Sequence, residues 1–223
     1  MTTRTDTQEA TMPESTLASL AAHRLVPVVV IDDASSADAL GGALAAGGLP
    51  VAEVTFRTAA APEAIRRLAD RGDILVGAGT VLTPGQVDAA VDAGATYVVS
   101  PGTSRAVVER AAERGVLALP GAITATEIQA ALELGVTTVK FFPAGTSGGP
   151  KAIAGLSAAF VDVSFVPTGG VSLDNLGDYL ALPSVAAVGG SWMVPRAAVA
   201  AGEVEHLTTL ISQASARAAE LRP

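Results

Sequence analysis

Two residues carry the chemical argument. The chain has 223 residues, and its 14 Lys+Arg include only two lysines, Lys140 and Lys151. Arginine stays protonated, whereas a desolvated lysine can shed its proton and attack an electrophilic carbon. Compositional drift accounts for the scarcity of lysine but not for where Lys140 stands. It lies inside Thr138-Val139-Lys140-Phe141-Phe142, a run with strand character. Side chains of a strand alternate between its two faces. Thr138, Lys140 and Phe142 therefore share one face, with Val139 and Phe141 opposite. In the run from Val51 to Arg57, the residues Val51, Glu53, Thr55 and Arg57 share a face, and Ala52, Val54 and Phe56 take the other. By the same alternation Val76, Ala78 and Thr80 align in a third run, and Val166, Thr168 and Gly170 in a fourth. If these faces meet, an amine, a carboxylate, a guanidinium and hydroxyls converge. An amine beside a carboxylate suits nucleophilic attack on a carbonyl with proton shuttling. The plainer alternative is a structural Glu53–Lys140 ion pair, because either charge alone is costly to bury. That alternative leaves Arg57 and Thr80 on the same rim without a purpose.

The runs Thr168-Gly169-Gly170-Val171-Ser172 and Gly189-Gly190-Ser191-Trp192 supply a second feature. Glycines let backbone N–H groups approach an anion closely, and helix N-termini following them would add positive potential. Two such turns after consecutive strands point to a phosphate; two tight turns without a ligand are the alternative. Asp32-Asp33 could join Glu53 around a metal, but suits the capping of a following helix better. His23 and His206 are expected to face solvent from terminal helices. Lys151 should be exposed at a helix start, and Trp192 should pack under a loop. Gly77-Ala78-Gly79 lacks the third glycine of a dinucleotide-binding loop.

The strands and helices around these residues follow a repeat. Eight β-rich runs begin near Val26, Val51, Ile74, Tyr97, Leu117, Thr138, Ser164 and Val185, about 20–26 residues apart. That spacing fits one strand, one helix and two short loops. The intervening stretches, such as 62–71, 84–93 and 105–114, show helical spacing of apolar residues. Glycines at 48, 94, 115 and 135 follow as C-terminal caps. Near-continuous apolar strands covered by helices imply a parallel sheet. Eight such units imply a single α/β domain over 14–223, a (β/α)8 TIM barrel, preceded by a frayed tail at 1–13. One helix, at 14–24, should precede the first strand, and another, at 203–221, should end the chain. In such a barrel the site lies at the C-terminal ends of the strands, with phosphate commonly held after strands 7 and 8.

Composition narrows the classes. The net charge of −8 argues against nucleic acid or an anionic membrane as the main partner. Hydrophobic residues at 49% and charged residues at 16% can build a large core. The absence of cysteine rules out disulfides, thiolate nucleophiles and Cys-ligated metals. Two histidines leave no multi-His metal site within one subunit. The first residues carry no apolar run of a leader, and no apolar stretch suits a membrane span, so a soluble cytoplasmic protein is expected.

In this order, several segments closely resemble the 2-keto-3-deoxy-6-phosphogluconate / 4-hydroxy-2-oxoglutarate aldolase family. They are Glu53-Val54-Thr55-Phe56-Arg57-Thr58, Gly77-Ala78-Gly79-Thr80-Val81-Leu82, Ser100-Pro101-Gly102, Lys140-Phe141-Phe142-Pro143-Ala144, Pro167-Thr168-Gly169-Gly170 and Gly189-Gly190-Ser191-Trp192-Met193-Val194-Pro195. The likeness spans roughly residues 17 to 210. It implies a class I aldolase, typically a homotrimer, that acts on a phosphorylated keto acid without metal or organic cofactor. It implies Lys140 as the Schiff-base lysine and Glu53 as the general acid/base. Arg57 and Thr80 would hold the pyruvyl carboxylate, and Pro101 and Phe142 would line the pocket around the carbinolamine. Thr168, Gly169, Gly170, Gly190 and Ser191 would face the distal chain and phosphate. The resemblance implies cleavage of 2-keto-3-deoxy-6-phosphogluconate to pyruvate and glyceraldehyde 3-phosphate, with 4-hydroxy-2-oxoglutarate as a further substrate. The galactonate-series phosphate is an alternative substrate. A phosphosugar isomerase or epimerase, a non-catalytic ligand-binding barrel and a metal-dependent aldolase are alternative functions. Two positions depart from the family pattern: Gly145, where Glu is common, and Asp32-Asp33, where a basic residue is common. Both bear on substrate preference rather than on reaction class.

Overall fold

In the computed structural model, which describes residues 11–221, strands and helices alternate along the chain. The strands are β1 Leu25–Val29, β2 Val51–Thr55, β3 Leu75–Gly79, β4 Tyr97–Val99, β5 Leu117–Leu119, β6 Thr138–Phe141, β7 Ser164–Pro167 and β8 Val188–Gly190. The helices are α1 Met12–His23, α2 Ser36–Ala46, α3 Ala61–Asp70, α4 Pro84–Asp92, α5 Arg105–Glu113, α6 Ala125–Leu132, α7 Gly149–Ala159, α8 Leu176–Leu180, α9 Arg196–Ala201 and α10 Val204–Glu220. Most of the expected tail at 1–13 falls outside the described residues, but Met12 and Pro13 already belong to α1. Thr11 and Glu14 form a capping box there, with Thr11 N–H donating to Glu14 Oε2 at 2.8 Å, and this starts the helix earlier than expected. No helix among the described residues is long and apolar enough to cross a membrane.

All strand pairs are parallel. Six strands run in the order β5-β4-β3-β2-β1-β8, and β6-β7 form the remaining pair. Isolated bridges close the circle: Gly121 with Lys140 on one side, and Phe165 with Val185 and Thr168 with Gly189 on the other. Lys140 N–H donates to Pro120 O, and Ala122 N–H donates to Lys140 O, both at 2.9 Å. The lysine backbone thus forms the β5–β6 seam. The expected (β/α)8 barrel with an N-terminal helix is what the chain forms.

The interior is set by register. Glu53 is level with Val28 and Gly77, and Thr55 with Gly79. Lys140 is level with Val166, and Tyr97 with Gly77 and Leu117. Residues level across parallel strands share a face. Expectation and structure agree for β2, β6 and β7 but part company on β3. There the inward positions are Gly77 and Gly79, while Val76 and Ala78 lie level with Ala52 and Val54 and face the helices. A methyl group at Gly77 would run into the Tyr97 ring, and one at Gly79 into the Glu53 side chain. Gly189 on β8 makes the same room for Thr168. Large inward side chains on one strand are therefore accommodated by glycines on the next.

Tyr97 shows how tightly this layer is fixed. It is fully buried, and its hydroxyl donates to Ala52 O at 2.8 Å, one residue from Glu53. Burial, reinforced by the Glu53 charge, pushes the phenol well above its ordinary pKa, so it remains a neutral donor. Tyr97→Phe should lower unfolding free energy by about 1–2 kcal/mol, the usual effect of deleting one buried hydrogen bond. Denaturant titration measures that change. Activity within about threefold of wild type is expected, since the hydroxyl holds a strand rather than a reacting atom.

Candidate active site

Lys140 and Glu53 meet inside the barrel, with Nζ 3.0 Å from Oε1. Their side chains are only 8% and 4% exposed. This is hydrogen-bond distance and therefore within reach of direct proton transfer. Nζ also lies 5.3 Å from the centre of the Phe142 ring, so the ammonium is flanked by an aromatic face on one side and a carboxylate on another.

These side chains floor a small inner cavity of about 60 Å³, lined by Val28, Glu53, Thr55, Arg57, Thr80, Pro101, Lys140, Phe142 and Thr168. It adjoins an outer cavity of about 240 Å³ lined by Gly169, Gly170, Gly190, Ser191 and Arg196 among others. Val28, Arg57, Phe142 and Thr168 border both. All eleven residues to which the family resemblance assigns a role line one cavity or the other. The amine and carboxylate sit at the inner end, and the glycine turns sit at the mouth.

Thr80 reaches the inner cavity by a different route from the expected one. Strand alternation would send it toward the helices with Val76 and Ala78. Its backbone instead adopts φ 57°, the left-handed region that a β-branched residue rarely occupies. That single residue breaks the alternation and brings Thr80 to the wall of the cavity. Such strain persists where surrounding structure fixes it. Here Phe56 N–H donates to Gly79 O at 2.7 Å and Val81 N–H to Val99 O at 3.0 Å, holding the backbone on both sides of Thr80.

The mouth is braced through its backbone. Gly169 and Gly170 both have positive φ, at 89° and 77°, a pair that only glycines adopt readily. Gly145 N–H donates to Gly169 O at 2.9 Å, and Asn175 Nδ2 donates to Gly170 O at 3.0 Å. Helices do follow the two glycine turns, as expected, but a few residues further along the chain. α8 begins only at Leu176 and is five residues long, and α9 begins at Arg196. Thr168 is 5% exposed, and its hydroxyl makes only a long 3.5 Å contact with Val166 O.

The remaining candidates fall as follows. Asp33 accepts from Ser35 N–H at 2.9 Å ahead of α2, close to the expected capping role. Asp32 instead pairs with Arg196. Among the described residues no three His, Cys, Asp or Glu side chains are gathered to hold a metal ion. Lys151 and His206 are exposed, and His23 is half-buried. Trp192 is half-buried, and its ring occupies the place a side chain at Gly190 would take. Arg196 is the functional candidate that sequence reasoning missed. The only local signal was its position just past the Gly189–Pro195 run, because its partner lies far away in the chain.

An internal lysine–carboxylate pair inside a (β/α)8 barrel, below glycine turns after the last two strands, is an arrangement suited to an aldolase that works through a Schiff base. The chain belongs to the KDPG and KHG aldolase family, whose model matches residues 17–210. It is 47% identical over 191 residues to the 2-dehydro-3-deoxy-phosphogluconate aldolase of Treponema pallidum, covering 85% of this chain and 91% of that protein. It is 46% identical over 200 residues to the protein of the same name from Pseudomonas aeruginosa, covering 89% and 91%. Its fold matches the KDPG aldolase of Legionella pneumophila, solved with pyruvate captured as a covalent carbinolamine intermediate. The TM-score is 0.85 and the identity 40%, over 88% of this chain and 96% of that one.

The close approach of Gly79 to Glu53 gives a test of the site's geometry. Gly79→Ala should force the carboxylate away from Lys140, with the barrel still folded by circular dichroism. A displacement near 1 Å in a catalytic group can cost about a hundredfold in rate. A drop in kcat of at least tenfold is expected in steady-state assays.

Proposed function

We propose that this protein is a class I aldolase that cleaves 2-keto-3-deoxy-6-phosphogluconate to pyruvate and glyceraldehyde 3-phosphate through a Schiff base on Lys140. Cleavage of 4-hydroxy-2-oxoglutarate to pyruvate and glyoxylate is its second activity. The observation that carries this reading is the buried Lys140 Nζ, 3.0 Å from Glu53 Oε1 on the floor of a cavity. The names of the relatives point to the same substrates.

The chemistry follows from that pair. Glu53 takes a proton from the Lys140 ammonium and frees the nitrogen lone pair. Nζ attacks the C2 ketone, and the resulting carbinolamine oxygen is protonated and leaves as water. The iminium so formed is an electron sink. Glu53 then removes the C4 hydroxyl proton, directly or through a water, and the C3–C4 bonding pair moves toward the iminium. An aldehyde departs and a pyruvate enamine remains on Lys140. Protonation at C3 and hydrolysis release pyruvate and restore the amine. Arg57 and Thr80 hold the pyruvyl carboxylate, while Pro101 and Phe142 enclose the carbinolamine. Thr168, Gly169, Gly170, Gly190 and Ser191 hold the distal chain and its phosphate. The iminium does the work of an electrophile, so these steps call for no metal or organic cofactor. A homotrimer in the cytoplasm completes the reading, by resemblance to the family.

The direct test is borohydride reduction in the presence of pyruvate and a chelator, followed by peptide mass mapping. With two lysines in the chain, a reduced pyruvyl adduct on Lys140 and none on Lys151 is expected. Lys140→Arg should fold normally and lose both adduct and turnover; an adduct-free but active wild type would overturn the assignment. Glu53→Gln should slow turnover by about 10²–10⁴-fold, the span for one acid/base group. A loss under about threefold would make Glu53 a structural partner only.

A further inference from the structure

The outer cavity contains a charged side chain that the roles above do not use. Arg196 lines it beside Gly190, Ser191 and Pro195. Its Nε donates to Asp32 Oδ2 at 2.7 Å and its Nη2 to Asp32 Oδ1, a side-on bidentate pair. Asp32 lies in the loop after β1, and Arg196 opens α9 after β8. The pair therefore ties together the mouths of two neighbouring strands. The side chains are 62% and 45% exposed, and pairs so exposed contribute little to stability. An ion pair of that kind at the rim of a cavity orients a guanidinium more than it secures a fold.

The fork leaves Arg196 half used. Asp32 occupies the Nε edge. The N–H groups on Nη1 have no acceptor among the described residues. That second edge of a guanidinium matches two oxygens of a phosphate or carboxylate. Gly169, Gly170 and Ser191 line the same cavity, and Arg57 lines it where it meets the inner one. Hydrogen bonding and charge from Arg196 hold the Asp32 carboxyl below its ordinary pKa, so the aiming group stays ionised as pH falls toward the usual carboxylate range.

We propose that Arg196 is a specificity-determining residue that grips the distal anionic group of the substrate, and that Asp32 is the positioning residue that aims it. The proposal rests on the reading of the site as a phosphorylated keto-acid aldolase. Arg196→Ala, Asp32→Asn and the double variant, in the full chain, separate the possibilities. Each is assayed on 2-keto-3-deoxy-6-phosphogluconate and on the same sugar acid without phosphate, with pyruvate trapping on Lys140 as an independent control. Loss of a charge-assisted hydrogen bond should lower kcat/KM of Arg196→Ala for the phosphorylated substrate by roughly tenfold or more, mainly through KM. Activity on the unphosphorylated acid should change by less than about twofold, and trapping should be unaffected. Asp32→Asn should move kcat/KM the same way by a smaller factor and add nothing in the double variant, as coupled residues do. Equal losses on both substrates, or none, would overturn the role of Arg196. An Asp32→Asn variant that binds phosphorylated substrate better, or whose loss adds fully to that of Arg196→Ala, would overturn the positioning role. Wild-type protein that fails to trap pyruvate would overturn the aldolase reading instead.

Discussion

The structure depends on keeping one ammonium and one carboxylate together inside a barrel. Lys140 and Glu53 are almost fully buried, and each would be a costly charge without the other. Removing either partner from such a pair destabilises a protein by about 3–5 kcal/mol, chiefly because the survivor is stranded. The pair therefore has to be placed accurately, and the surroundings show how. Glu53 is held by register between Val28 and Gly77 and has space only because Gly79 lacks a side chain. Lys140 is held by its own backbone, which forms the β5–β6 seam with Pro120 and Ala122. Charge burial and strand geometry act here as one constraint.

That constraint explains why the pair is more than a structural lock. A lock would be served by surrounding atoms that fill the space around it. Instead the pair floors an open cavity whose wall includes Thr80, held in a left-handed conformation, and Thr168, whose hydroxyl has no short hydrogen bond. Both hydroxyls are left able to bond to something else. A strained residue and a weakly engaged hydroxyl beside an ion pair are costs to stability that a purely structural site has no reason to bear.

Much of this was legible in the sequence, and the exceptions have physical causes. The repeat of apolar runs identifies eight strands because most are buried on both faces and covered by helices. Alternation placed Glu53, Lys140 and Thr168 inward because side chains of contrasting polarity mark the faces of β2, β6 and β7. On β3 it failed: the inward residues are glycines, which carry no mark, and the reversal at Thr80 lies in one backbone angle. Apolar spacing alone starts α1 two residues late, because the start is set by the polar capping box of Thr11 and Glu14. Arg196 and Asp32 were invisible as a pair, since 164 residues separate them and only closure of β1 against β8 brings them together.

The electrostatics of the mouth complete the argument. A chain of net charge −8 repels an anionic substrate at long range, so local cations must do the attracting. Most arginines on the outside of the barrel are not available for that. Arg110 and Arg114 share Asp88, Arg66 and Arg67 share Glu63, and Arg71 is held by Asp73. Arg57 has no ion-pair partner among the described residues, and it borders both cavities. Arg196 is paired along one edge only. Two positive groups with unspent hydrogen-bonding capacity, Arg57 and Arg196, thus line the outer cavity, with Arg57 where it meets the inner cavity that holds the amine. A substrate with an anion at each end would span the two and bring its ketone to Lys140, so the same charges that attract it would also set its direction.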